Sequence, residues 1–187
     1  YRFEGRPMEP LKSLDRAGLV AYVGTFSKTI FPELRMGYVV PPASLLDPLR
    51  RARQVGDWHG CTLTQTALAT FMLNGDFAKH LRRMHKHYAA RRAMLLSHLQ
   101  NGLAPWFEPI VPTAGIHLAA RIRAPLTEAA VVEAGRAASI GLHGLAPFHV
   151  REKARPGLMF GYGGISVEQI DTALTALDEE ISTLALQ

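Results

Sequence analysis

A lysine set between two short strand-like runs constrains this chain most. Leu19-Val20-Ala21-Tyr22-Val23 and Gly37-Tyr38-Val39-Val40 are apolar, β-branched and aromatic, the composition of strands buried on both faces of a parallel or mixed sheet. The run from Thr25 through Phe26, Ser27, Lys28, Thr29 and Ile30 to Arg35 and Met36 then connects one strand to the next. Lys28 starts from the end of a core strand, where a long side chain reaches a cleft at the sheet edge.

A lysine amine so placed is a nucleophile for an aldehyde, with which it forms a Schiff base. The hydroxyls of Thr25 and Ser27 and the guanidinium of Arg35 supply what a phosphate needs, donors and a fixed charge that binds through two parallel hydrogen bonds. An aldehyde and a phosphate on one small molecule describe pyridoxal phosphate. Taken one at a time, Lys28 and Arg35 read better as a solvated loop lysine and an ordinary surface arginine; the combination is what points to the cofactor, and short motifs do occur by chance.

Gly24-Thr25-Phe26-Ser27-Lys28 with Phe31-Pro32-Glu33-Leu34-Arg35-Met36-Gly37-Tyr38 resembles the lysine segment of fold-type I pyridoxal-phosphate proteins, and more closely the aminotransferase-like domain of MocR-type regulators in the GntR superfamily. Tyr1-Arg2-Phe3-Glu4-Gly5-Arg6-Pro7, His80-Leu81-Arg82-Arg83-Met84 with Tyr88 and Arg91-Arg92, and Gly115-Ile116-His117-Leu118 agree with that group. The resemblance implies that Lys28 carries the cofactor as a Schiff base and that Thr25 and Arg35 bind its phosphate, to which the reading of the residues themselves adds Ser27. It also implies a homodimer, because fold-type I sites are built across a two-fold interface.

The same resemblance exposes a shortfall in length. At 187 residues, 48% of them hydrophobic, the chain can bury a real core, but fold-type I chains are about twice as long. The acidic partner of the pyridine nitrogen, the stacking ring and the phosphate-binding loop expected from the family find no place before Lys28; Asp15 sits in what reads as a turn. The chain, which begins with Tyr1, is therefore expected to be the C-terminal portion of a larger α/β protein. Residues 1–76 would be the remainder of a large cofactor-binding domain, and residues 77–187 a bridging helix and a small α/β domain. Any DNA-binding element of a regulator would lie in a missing N-terminal part.

Charge and cysteine content narrow the setting. The formal charge is +5, gathered in Arg50-Arg51-Ala52-Arg53 and between Lys79 and Arg92. Without aromatic interleaving or a DNA-binding motif, the second cluster reads as the solvated face of a long helix. A single cysteine, Cys61, near a helix start, excludes a disulfide framework and points to a reducing, cytoplasmic setting. Eight dispersed histidines give no metal-ligand spacing, and no run is apolar for the length of a membrane span.

Periodicity and breakers predict helices over 42–55, over 65–73 with Thr62 as cap, over 77–100, over 127–138 and from Val167, with extended segments at 107–111, 116–122, 142–147 and 158–162. His117 follows Gly115 and is a candidate ligand-lining residue, or simply a strand histidine. Many aminotransferases of the family hold the substrate carboxylate with an arginine on the strand before the last helix. Here that position falls on Met159, whose thioether forms no charge-assisted pair, leaving Arg155 in the preceding loop as a substitute. The expected function is a pyridoxal-phosphate-binding effector domain responding to a small amine or amino acid. A stand-alone aminotransferase and a catalytically silent dimerisation domain remain as alternatives.

Overall fold

The computed structural model describes residues 1–150 and 155–186. The chain divides into two compact units, Arg6–Arg83 and Tyr1–Gly5 with Met84–Gln187, with the boundary inside one continuous helix.

In the first unit β1 (Tyr22–Thr25) and β2 (Gly37–Val40) pair antiparallel, with Thr25 opposite Gly37 and Gly24 opposite Tyr38. The first strand starts later than its apolar run predicts. The Asp15 carboxylate accepts the backbone N–H groups of Leu19 and Val20 at 3.0 and 2.9 Å, which takes those residues out of the ladder. The expectation of strands buried on both faces is corrected too: Val23 is 74% exposed and Tyr38, Val39 and Val40 are each near half exposed, because no described residue covers them. A Cβ on Gly24 would run into the Tyr38 ring, so glycine is required where strand and ring meet.

Helices α1 (Ala43–Gly56) and α2 (Thr62–Leu73) follow. Thr62 is the first residue of α2 and not its cap; Cys61 holds the cap position. The Thr64 hydroxyl donates to Cys61 Sγ at 3.2 Å, which holds the thiol pKa below its ordinary value. Gly75, at φ +75°, makes the turn into α3 (Asp76–Gln100).

The second unit is a four-stranded antiparallel sheet in the order β3 (Phe107–Ile110), β4 (His117–Ile122), β6 (Gly157–Gly161), β5 (His143–Gly144). Helices α4 (Glu128–Ala137) and α5 (Val167–Ala185) complete it. Alternation places Leu118, Ala120 and Ile122 of β4 in the core. They meet Leu95 and Leu99 of α3 and a stripe of Ile170, Leu174, Leu177 and Ile181 on α5, spaced for one helical face. Thr127 caps α4 and Ser166 with Gln169 forms a capping box on α5. The Glu128 carboxylate accepts N–H groups of Leu145, Ala146 and Gly157 at 3.1–3.2 Å and ties the short β5 segment to β6.

The charged stripe on α3 splits in two. Lys79, Arg82, Arg83 and Lys86 are exposed as expected. Arg91 and Arg92 depart from the solvated-face reading: Arg91 donates to the Gly163 carbonyl at 2.8 Å, and Arg92 to Glu4 at 2.6 Å and the Pro112 carbonyl at 3.1 Å. These two arginines hold loops of their own unit. No helix among the described residues is long and apolar enough to cross a membrane.

Candidate cofactor site

Lys28 sits in one tight helical turn that leaves β1. Ile30 N–H donates to the Phe26 carbonyl at 2.8 Å and Thr29 N–H to the same oxygen at 3.1 Å, while Phe26 N–H returns to the Met36 carbonyl at 2.9 Å. Thr25 stabilises the entry as serine and threonine do at turns: its Oγ1 accepts Ser27 N–H at 3.2 Å and lies 3.1 Å from Ser27 Oγ. The structure thus brings the Thr25 and Ser27 hydroxyls together at the base of an exposed Lys28.

Arg35 closes the same connection. A short 3-10 turn over Pro32–Leu34 ends at Arg35, whose backbone is left-handed at φ 48° and ψ 36°. A non-glycine residue in that region is uncommon, and such strain concentrates at ligand sites. Among the described residues neither the Lys28 amine nor the Arg35 guanidinium is engaged in an ion pair. Two hydroxyls, an amine and a free guanidinium within eleven residues are a donor set that fits an aldehyde bearing a phosphate.

Two groups brace the turn from behind. Phe26 lies in a chain of ring contacts, with Tyr38 at 5.6 Å and Phe77 at 6.0 Å, and Phe77 meets Phe71 at 6.3 Å. A hydrogen bond between the Tyr22 and Tyr38 phenols raises the Tyr38 pKa. His80 Nε2 lies 2.8 Å from the Thr29 carbonyl. Sequence reasoning gave His80 no task of its own, because a contact between residues 51 apart leaves no local pattern.

His117 and Arg155 belong to the other unit. His117 is on β4 opposite Gly161, with its ring against the space a Cβ there would take. Met159 on β6 is flanked by Ala119 and His143 in the ladder. With His117, Leu142 and His143 it lines a cavity of about 350 Å³. Arg155 lines a separate hollow beside Glu128 and Phe148.

Residues 5–158 match the family model described as aminotransferase class I and II. The chain belongs to that family. It is 34% identical over 177 residues to the probable rhizopine catabolism regulatory protein MocR of Rhizobium meliloti, covering 95% of this chain and 36% of that protein. It is 30% identical over 177 residues to the uncharacterised HTH-type transcriptional regulator YhdI of Bacillus subtilis (strain 168), again over 95% of this chain and 38% of that protein. The chain therefore spans little more than a third of these relatives' length; regulators of this kind match 95% of it, and the aromatic-amino-acid aminotransferase 1 of Thermococcus litoralis is 30% identical over 58% of it.

The fold is that of fold-type I aminotransferases. Kynurenine aminotransferase of Pyrococcus horikoshii, solved in complex with PMP, superimposes with a TM-score of 0.85 at 21% identity, over 98% of this chain and 45% of that one. LysN, the α-aminoadipate aminotransferase of Thermus thermophilus, solved with N-(5'-phosphopyridoxyl)-L-leucine, gives 0.84 at 23% identity, over 100% and 49%.

Proposed function

We propose that this chain is the pyridoxal-phosphate-binding part of an aminotransferase-like effector domain in a cytoplasmic MocR-type regulator. In this reading the chain is the C-terminal portion of a longer, homodimeric protein whose DNA-binding element lies outside these residues. Residues 1–76 contribute the cofactor-bearing side and residues 77–187 the small domain. The observation that carries the reading is the lysine turn: an exposed amine, two hydroxyls at its base and a strained, uncommitted arginine from one short connection.

Lys28 holds the cofactor covalently through its ε-amine, and Thr25, Ser27 and Arg35 hold the phosphate, Arg35 with two parallel donors. The bound group supplies an electron sink for bonds at an amine carbon, and the protein decides whether that capacity is used. A small amine or amino acid competing for the cofactor is the effector, and its binding shifts the relation between cofactor-bearing and small domains. Met159, where a carboxylate-clamping arginine is expected, supports sensing over transamination. His117, which lines a cavity of its own unit with Met159, and Arg155 are the small-domain candidates for meeting the effector, Arg155 through an anionic group.

Borohydride reduction of the full-length protein with pyridoxal phosphate, followed by peptide mass mapping, tests the assignment. The adduct is expected at Lys28 and absent in Lys28→Ala. Labelling spread evenly over Lys12, Lys79 and Lys86, or undiminished in Lys28→Ala, overturns it. Release of a keto acid from an amino-acid ligand would replace the regulator reading with an enzyme.

A further inference from the structure

The turn bearing Lys28 is gripped on both sides of the lysine by residues that do not touch its amine. On one side, Phe26 is packed by Tyr38 and Phe77. On the other, the Thr29 carbonyl lies 2.8 Å from His80 Nε2. A carbonyl oxygen only accepts, so Nε2 carries the hydrogen and donates. The imidazole is itself held: its ring lies 6.2 Å from the Phe71 ring, and Phe71 in turn meets Phe77. His80 is thus a half-buried donor on α3, aimed at the peptide that follows the lysine.

An exposed lysine has a long, mobile side chain, so the direction of its amine depends on how well its backbone is fixed. Within the turn that backbone is fixed by the bonds from Thr29 and Ile30 N–H to the Phe26 carbonyl. The bond from His80 adds an anchor from a separate element, spanning 51 residues. Orientation of a reacting group by supporting hydrogen bonds is how a site gains rate without further contacts to the ligand.

We propose that His80 is the positioning residue for Lys28, fixing the turn through its Nε2–H bond to the Thr29 carbonyl and so holding the amine ready for an aldehyde. The inference rests on the cofactor reading of Lys28 and adds to it a residue outside the lysine segment. Phe71, through its contact with the ring, sets the orientation in which Nε2 meets Thr29.

Wild type, His80→Ala and His80→Gln of the full-length protein separate positioning from mere stability, because glutamine can return an N–H donor near the place of Nε2. Two readouts are taken on each. The first is the rate of pyridoxal-phosphate and borohydride labelling at Lys28 relative to Lys12, Lys79 and Lys86. The second is amide hydrogen exchange at Thr29 and Ile30 without cofactor. Loss of one net hydrogen bond predicts that His80→Ala slows Lys28 labelling, and speeds exchange of the two amides, by roughly three- to tenfold, with the other lysines unchanged. His80→Gln is expected to recover most of both. Wild-type labelling and protection in His80→Ala overturns the inference, as does an equal loss in both variants. If wild type itself shows no preference for Lys28, the cofactor reading fails instead, and the exchange of Thr29 and Ile30 still decides whether His80 holds the turn.

Discussion

Replacing Arg35 by glycine separates what this residue costs the fold from what it does for a phosphate. At φ 48° and ψ 36° its backbone is in the left-handed region, which costs an L-residue about 1–2 kcal/mol. Glycine removes that strain and returns about 0.5–1 kcal/mol through the greater freedom of the unfolded chain. The net effect on stability is therefore near zero to about 1.5 kcal/mol in favour of the variant, which at about 2–4 °C per kcal/mol leaves the melting midpoint unchanged or up to about 6 °C higher. The lost guanidinium–phosphate bond contributes about 1.5–3 kcal/mol, so pyridoxal-phosphate affinity should weaken about ten- to a hundredfold. Calorimetric melting and an absorbance titration with the cofactor, run on the same preparation, read the two effects separately. A midpoint lowered by more than about 5 °C would refute the strain argument, and an unchanged titration would remove Arg35 from the phosphate site. Arg35→Lys, which keeps the charge but not the planar fork, is expected to fall between.

Two further perturbations address the scaffold. Asp15, with its side chain 3% exposed, accepts from Leu19 N–H, Val20 N–H and then Lys12, which holds its pKa below the ordinary 3.8. A carboxylate lowered on folding stabilises the fold above its unfolded pKa and loses that contribution as pH falls toward the folded one. Urea titrations should therefore show Asp15→Asn less stable than wild type at pH 6, with the gap closing progressively below about pH 4; a gap that widens on acidification contradicts this. Glu128→Gln retains one acceptor oxygen but turns an amide N–H₂ toward donors at Leu145, Ala146 and Gly157. It is expected to lower stability by about 1–3 kcal/mol, with hydrogen exchange rising first in 143–148; a change under about 0.5 kcal/mol in the same titration speaks against the carboxylate as the tie between β5 and β6.

Local chemistry was enough for much of this protein. The apolar periodicities of α1, α3 and α5 are met by single helices within a residue or so of the predicted bounds; α1 and α3 were bounded by their own breakers, Pro42, Asn74-Gly75 and Asn101-Gly102, while the cap of α5, Ser166, is known from the structure. The run from Gly24 to Tyr38 was legible as a lysine segment because the groups that would meet an aldehyde and a phosphate are neighbours in the chain.

What depends on which polar groups meet in space was not legible. Leu19 and Val20 look like strand, yet their N–H groups turn to the Asp15 carboxylate. Arg91 and Arg92 have the composition of a solvated face, yet they meet carbonyls and a carboxylate contributed by loops 20 or more residues away. His80 acquires its place only when α3 lies against the lysine turn. Sequence determined the periods, the breaks and the residue types of the candidate site, since these act over a few bonds; the tertiary structure alone decided which polar groups find partners, since a hydrogen bond is set by distance and direction in space.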